Sequence, residues 1–247
     1  ASVNSVARSA TANNHSATHL LHSALREIVG THVEQKGSLV EPNRLRFDFS
    51  HGEAVDPILL DDVERRVNEE IRSNREVVTR TMKIDEARTA GAAALFGEKY
   101  DDVVRVVGMG DYSLELCGGT HVKRTGDIGA FRVVSESGIA AGVRRIEALT
   151  GEGARRHATE ESTVLSRVAA VYRTSVGEIE SKAKQMQIRT REFERQIDDL
   201  QAQLAAGGGV AESPEIENVG GVQVMVVRKD GVDVGALRTL LDTLRDL

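Results

Sequence analysis

Two short segments of the chain carry side chains of the kind that bind metal ions. His15 and His19 lie four positions apart in the first segment, and Cys117 and His121 lie four positions apart in the second, which contains the one cysteine of the chain. Three imidazoles and one thiolate form a ligand set that suits zinc. Either pair alone is weak evidence, because such pairs also occur by chance on exposed surfaces. Together they predict a two-part Zn²⁺ site.

Gly118 and Gly119 separate the two ligands of the second segment. Glycines allow the loop to bend so that Cys117 and His121 approach one ion. Their backbone N–H groups can also polarise a carbonyl or hold an oxyanion, which makes Cys117, Gly118 and Gly119 candidate catalytic residues. A tight turn explains the glycines equally well. Four protein ligands are typical of structural zinc, whereas catalytic zinc keeps an open position, so the sequence leaves open whether zinc activates water or only holds the substrate.

Helical spacing places the first ligand pair on one side of an amphipathic helix. Asn13 or Asn14 predicts its start and Gly30 its end. The apolar side is formed by Ala17, Leu20, Leu21, Ala24, Leu25 and Ile28. At about 100° per residue the histidines fall on the opposite side, where they face solvent or a site. His22 either supports a ligand or, as the preferred interpretation, is a polar surface residue beside the site.

The first 150 residues alternate between strand and helix patterns. Strands are predicted in 31–50 (two strands and a turn), 76–82, 103–107, 112–116, 130–135 and 142–149, and further helices in 57–74 and 84–96. This order is typical of an α+β domain with one largely antiparallel sheet. The Cys117 loop then lies at a strand end.

The pattern changes after residue 150. Apolar residues with a 4-3 spacing predict a coiled-coil helical linker over residues 151–206: Ile179, Ala183, Met186, Phe193, Ile197, Leu200 and Leu204. A helical hairpin broken at Gly177 is as consistent with this pattern as one long helix. Residues 207–247 predict a partial C-terminal domain, with a strand at 222–227 and a helix after Val232, and thus a truncated βα unit.

Composition excludes several classes of protein. A single cysteine excludes an intramolecular disulfide and favours a reducing, cytoplasmic location. No apolar run is long enough to span a membrane. The net charge of −6 argues against a surface coated with nucleic-acid-binding charge, but it allows a local basic groove. Because the chain begins with Ala1, we expect it to be a piece of a longer protein.

Several strings of residues, in order, resemble the editing domain of alanyl-tRNA synthetases. They are NHSATHLLH from Asn14, HVEQKGSLV from His32, RLRFDFSH from Arg44, CGGTHV from Cys117, GDIG from Gly126 and GVRRIEA from Gly142. The resemblance covers about residues 8–150. The remainder is similar to the helical linker and the opening of the C-terminal domain of that family.

The resemblance implies an aminoacyl-tRNA deacylase that hydrolyses tRNA(Ala) mischarged with serine or glycine, without the ATP-dependent aminoacylation domain. It implies Zn²⁺ on His15, His19, Cys117 and His121, and a place for Gln35 in the editing pocket. Candidate phosphate contacts, each with a solvated surface role as the alternative, are Lys36, Arg44, Arg46, Arg144 and Arg145. The alternatives are a free-standing deacylase of the same superfamily and a structural-zinc tRNA-binding module. A homodimer formed through the helical and C-terminal segments is possible, and the sequence does not decide the oligomeric state.

Overall fold

The computed structural model describes residues 2–93, 100–207, 216–225 and 238. The chain divides into two compact units, residues 1–167 and 168–247. Its described part is α+β with antiparallel strand pairing throughout the named sheets, which confirms the predicted class.

The first unit contains most of the regular structure. Its helices are α1 (Ser5–Ile28), α2 (Pro57–Arg72), α3 (Ile84–Thr89) and the first part of α4 (Gly151–Tyr172), with a 3₁₀ turn at Thr125–Ile128. Its strands are β1 (Gln35–Val40), β2 (Leu45–Ser50), β3 (Val77–Lys83), β4 (Val103–Met109), β5 (Ser113–Leu116), β6 (Phe131–Ala140) and β7 (Val143–Thr150). The helix predicted over 84–96 ends at Thr89, and residues 90–93 are not helical; residues 94–99 lie outside the described residues.

The strands of this unit form two sheets, so the prediction of one sheet is wrong. The first has the order β1-β2-β7-β6 and the second the order β3-β4-β5. The second sheet is stable because apolar side chains cover both faces of its central strand, β4. Val107 and Met109 pack into the main core, whereas Val104 and Val106 pack into a smaller cluster with Ala87 of α3.

Helix α1 begins at Ser5, not at residue 13 or 14. Asn4 caps it, since its side chain accepts a hydrogen bond from the Ala7 N–H. The first two turns are largely exposed, so no apolar periodicity marks them in the sequence. Asn14 is instead a buried residue whose side chain bonds the Glu41 carbonyl and the Thr150 hydroxyl. It therefore ties α1 to the turn between β1 and β2 and to the end of β7.

The main core lies between α1, α2 and the sheets. Leu20, Leu21 and Leu25 of α1 are fully buried and pack with Phe47 and Phe49 of β2. Burying a side chain of this size contributes roughly 1.5–3 kcal/mol. The apolar side of α1 was predicted correctly, and it fixes the rotation of the helix about its axis.

The second unit, from residue 168, holds the end of α4, a 3₁₀ turn at Val176–Glu178, helix α5 (Ile179–Gly207) and a hairpin of β8 (Ile216–Val219) and β9 (Val222–Met225). The chain leaves α4 through Arg173, whose φ is +51°. Of the two alternatives that the sequence left open, the broken helix is the one present, with the break at residues 173–178 around Gly177. The apolar heptad positions of α5 that the structure describes include several exposed side chains: Met186, Phe193, Ile197 and Leu200.

The hairpin turns at Gly220 and Gly221, both of which have positive φ, a conformation that favours glycine. Strand β8 was not predicted, although a Gly-Gly pair between two short runs is a hairpin signal. The helix predicted after Val232 lies outside the described residues except for Arg238. None of the described helices combines the length and the apolar character that crossing a membrane requires.

Candidate metal centre

The fold brings the two predicted ligand pairs together. One potential ligand atom from each of His15, His19, Cys117 and His121 lies within 4.8 Å of the others. The thiol Sγ is 3.4 Å from His15 Nε2 and 3.3 Å from His121 Nε2. The imidazole centroids of His15, His19 and His121 lie 4.3 to 5.2 Å apart. The four side chains thus surround one small volume.

Helix α1 holds the first pair rigidly, because residues four apart lie on the same side one turn apart. His19 is only 7% exposed, and its Nε2 is a buried nitrogen without a hydrogen-bond partner among the described residues. A buried polar atom with no partner costs free energy. A metal ion would supply the missing partner, so this nitrogen fits a zinc ligand set.

The second pair sits in the loop that follows β5, at a strand end as predicted. Gly119 is required there by close approach: a Cβ on this residue would lie 2.0 Å from His15 Cε1 and 2.4 Å from His15 Nδ1. A Cβ on Gly118 would meet nothing within 4 Å. The Gly119 N–H points at Cys117 Sγ from 3.5 Å, and it therefore stabilises negative charge on that sulfur.

Two residues outside the predicted set, Arg105 and Ser16, hold this loop in place. Arg105 on β4 donates from Nη1 to the carbonyl oxygens of Cys117 (3.2 Å) and of Gly119. Ser16 Oγ accepts from the Val122 N–H at 3.1 Å and lies 3.2 Å from His121 Nδ1. The loop is thereby attached both to the neighbouring strand and to α1.

Glu115 is the residue next to the cluster that sequence reasoning missed. Its carboxylate lies 2.5 Å from His19 Nδ1 and 2.8 Å from His22 Nδ1, and it is buried with both histidines. The expectation that His22 is a surface residue is therefore wrong, since only 8% of it is exposed. Strand alternation was the available signal, because Glu115 precedes Cys117 by two positions and so shares its side of the strand.

The charges of the cluster are coupled. Burial opposes ionisation of Cys117, but contacts with His121, His15 and His19 outweigh it and lower the pKa of the thiol to about 3. Burial also lowers the pKa of His121. Burial by itself would lower the pKa of His19 too, but the Glu115 carboxylate and the Cys117 thiolate outweigh it, so the pKa of His19 is raised. These shifts favour a thiolate on Cys117 and a protonated His19 beside it, and a dication would take the place of the proton.

The sequence of the chain is similar to those of known proteins. A family model described as "Threonyl and Alanyl tRNA synthetase second additional domain" matches residues 104–147, which include most of β4, all of β5 and the Cys117 loop. The chain is 52% identical to an alanine–tRNA ligase of Hydrogenovibrio crunogenus over 97% of its own length. It is 50% identical to that of Idiomarina loihiensis over 100%, and 51% identical to that of Acidithiobacillus ferridurans over 99%.

The chain belongs to the alanine–tRNA ligase family. The resemblance inferred from the sequence strings is therefore confirmed. The chain spans 28% of the length of each of these relatives.

Gln35, the pocket residue implied by the alanine–tRNA ligase resemblance, lies at the first position of β1. Its backbone is paired opposite Phe49 of β2. The side-chain amide donates to Ser38 Oγ at 3.2 Å. None of the side-chain hydrogen bonds found in the described part of the chain joins Gln35 to the four-residue cluster, so its role stays a prediction.

The five candidate phosphate-binding residues of this alanine–tRNA ligase segment lie beside carboxylates of their own chain. Arg144 pairs with Glu136 and Arg145 with Asp48, each through two hydrogen bonds. The other three contact acidic groups as well: Lys36 with Glu34, Arg44 with Glu41 and Glu147, and Arg46 with Asp48 at 3.8 Å. A phosphate would have to compete with these carboxylates for each cation.

Proposed function

We propose that the chain hydrolyses the ester bond of tRNA(Ala) mischarged with serine or glycine, at a Zn²⁺ ion held by His15, His19, Cys117 and His121. The observation that supports this most is the convergence of these four donors within 4.8 Å. Imidazole and thiolate are preferred zinc ligands. Membership of a family of alanine–tRNA ligases supplies the substrate class.

The proposed reaction meets a chemical need of alanine-specific enzymes. Serine differs from alanine by one added hydroxyl, and glycine by one missing methyl. A single pocket rejects such close analogues by only about 10–200-fold. A second site that hydrolyses the wrong ester raises the overall selectivity, and this chain would provide that second site.

The residues around the cluster would orient the substrate. Zinc, when bound, would act as a Lewis acid or hold the hydroxyl of a seryl group. The Gly119 N–H is directed at Cys117 Sγ, so Gly118 is the better candidate for contact with the ester carbonyl. Gln35 would orient the attacking water or the amino acid. Cys117 would serve both as a ligand and as a wall of the pocket.

We further propose that the chain works as the editing part of an alanine–tRNA ligase in the cytoplasm. In this proposal residues 1–150 form the editing domain, 151–206 a coiled-coil linker and 207–247 the start of a C-terminal domain. The exposed apolar residues of α5 support the linker assignment, because a coiled-coil face needs a partner helix. A second copy of the chain would supply that helix in a homodimer.

A second candidate function is a structural-zinc tRNA-binding module without its own catalysis. It is favoured by the number of protein donors, since four ligands fill the tetrahedral shell of a structural zinc. The two candidates share the metal and the tRNA, and they differ only in hydrolysis.

Hydrolysis of seryl-tRNA(Ala) by the purified chain tests the proposal. We expect release of serine that is lost on zinc chelation and restored by zinc, and no release from alanyl-tRNA(Ala) at the same enzyme concentration. The matched control is Cys117→Ala, which removes one ligand. Zinc binding together with a hydrolysis rate no higher than that of Cys117→Ala would support the structural module instead.

A further inference from the structure

The buried carboxylate of Glu115 joins two histidines of α1. One oxygen lies 2.5 Å from His19 Nδ1 and the other 2.8 Å from His22 Nδ1. The three side chains are each about nine-tenths buried, with 9%, 9% and 10% side-chain exposure for Glu115, His19 and His22. Burying an ionised carboxylate is costly unless it is paired and hydrogen-bonded. The two histidines supply the hydrogen bonds that a buried Glu115 carboxylate needs, and the carboxylate in turn fixes the orientation of both rings.

Hydrogen bonding to a carboxylate fixes which ring nitrogen of each histidine carries the proton. A carboxylate only accepts, so Nδ1 of both rings must be the donor. In a neutral ring Nε2 is then left with a lone pair. For His19 this is the buried nitrogen that has no hydrogen-bond partner in the described part of the chain. His19 also contributes one ring nitrogen to the group of four donors.

Glu115 also connects the two halves of the cluster. His19 and His22 belong to α1, whereas Glu115 is the third residue of β5 and stands two positions before Cys117. Its hydrogen bonds hold the helix against the strand that leads into the ligand loop. The relative position of His19 and Cys117 is thus set before any ion arrives.

From these contacts we propose that Glu115 is a positioning residue for the metal centre, acting through His19, and that His22 serves as its second hydrogen-bond donor. The inference rests on the proposed zinc site and deepens it. Groups that hydrogen-bond a ligand imidazole orient the ring and raise its basicity. Glu115 also places one negative charge beside the bound dication.

Zinc affinity of the full chain, measured by competition with a chromophoric chelator, tests this inference. In Glu115→Gln the amide oxygen accepts from one ring only, while the amide NH₂ faces the N–H of the other. We expect zinc affinity to fall by about 10–100-fold and the visible spectrum of the Co²⁺-substituted protein to change. Wild-type affinity together with an unchanged Co²⁺ spectrum in Glu115→Gln would overturn the inference.

Glu70→Gln is the matched control for general loss of a buried carboxylate. Glu70 is 3% exposed and bonds Arg66 and Arg75, and neither arginine belongs to the cluster. We expect Glu70→Gln to keep wild-type zinc affinity even if its melting temperature falls. An equal loss of affinity in both variants would show that Glu115 acts only through stability and would overturn the inference.

A pair of substitutions at His22 keeps the test decisive if Glu115→Gln does not fold. Asparagine places an amide N–H close to the position of Nδ1, whereas leucine offers no donor. We expect His22→Asn to bind zinc more tightly than His22→Leu, and equal affinities would contradict the inference. Absence of zinc binding by the wild-type chain would overturn the proposed metal site itself and this inference with it.

Discussion

Helices α1 and α5 show the same sequence signal and end in opposite environments. Both carry apolar residues at helical spacing with polar residues opposite. In α1 the apolar side is fully buried, and the opposite side is covered too, because β5 and the Cys117 loop pack on its histidines. In α5 the corresponding apolar residues, such as Phe193 and Leu200, are 48% and 58% exposed. Periodicity thus predicts the helix and its apolar side, but partners distant in sequence decide what is buried.

Truncation of one leucine in α1 should have the largest effect on stability. Leu25 is fully buried in the main core. We expect Leu25→Ala to lower the free energy of unfolding by about 2–5 kcal/mol, from lost burial plus the cavity that remains. Denaturant unfolding monitored by circular dichroism measures this. A loss below about 1 kcal/mol, the usual cost of a well-tolerated change, would show that the α1 core is not as packed as described.

A methyl group at Gly119 should affect the metal centre more than the fold. The added Cβ would lie 2.0 Å from the His15 ring, so His15 must leave its place in the cluster. We expect Gly119→Ala to weaken zinc binding by at least about 10-fold, equivalent to about 1.4 kcal/mol. Isothermal titration with Zn²⁺ measures it.

Gly118→Ala is the control for that experiment, because its Cβ would meet nothing within 4 Å. It should bind zinc like the wild type. If the two alanine variants bind zinc equally well, the close approach between Gly119 and His15 has no bearing on the site.

Truncation of a leucine in α5 should have the smallest effect. Leu200 is mostly exposed, and surface substitutions usually change stability by less than about 0.5 kcal/mol. We expect Leu200→Ala to leave unfolding of the dilute chain within that range. A cost close to that of Leu25→Ala would mean that the α5 face is covered, and sedimentation equilibrium at increasing concentration would then show whether a second copy covers it.

Much of the metal centre could be predicted because its signals are local. Helix geometry shows that His15 and His19, four positions apart, can reach one ion. Loop geometry shows that the glycines beside Cys117 allow Cys117 and His121 to do the same. Strand alternation could place Glu115 on the same side of the strand as Cys117. Its contact with His22, which buries that histidine, joins residues 93 positions apart and is not contained in any local pattern. The same reason explains the split into two sheets, since strand partners are chosen by packing on both faces of β4.

Local signals also failed where a segment has no buried side. The first turns of α1 are mostly exposed, so their helical state rests on the Asn4 cap and on continuation from the packed part of the helix. The candidate phosphate contacts pair with carboxylates, as Arg145 does with Asp48 across β7 and β2. These pairs depend on strand register, which the local sequence does not give.

The zinc content of the purified chain tests the central claim most directly. After equilibration with excess zinc and removal of unbound metal, mass spectrometry of metals should give one zinc per wild-type chain. His19→Ala and Cys117→Ala should each retain far less, because each removes one of four donors that converge on one point. If His19→Ala retains as much zinc as the wild type, the four-residue site is contradicted.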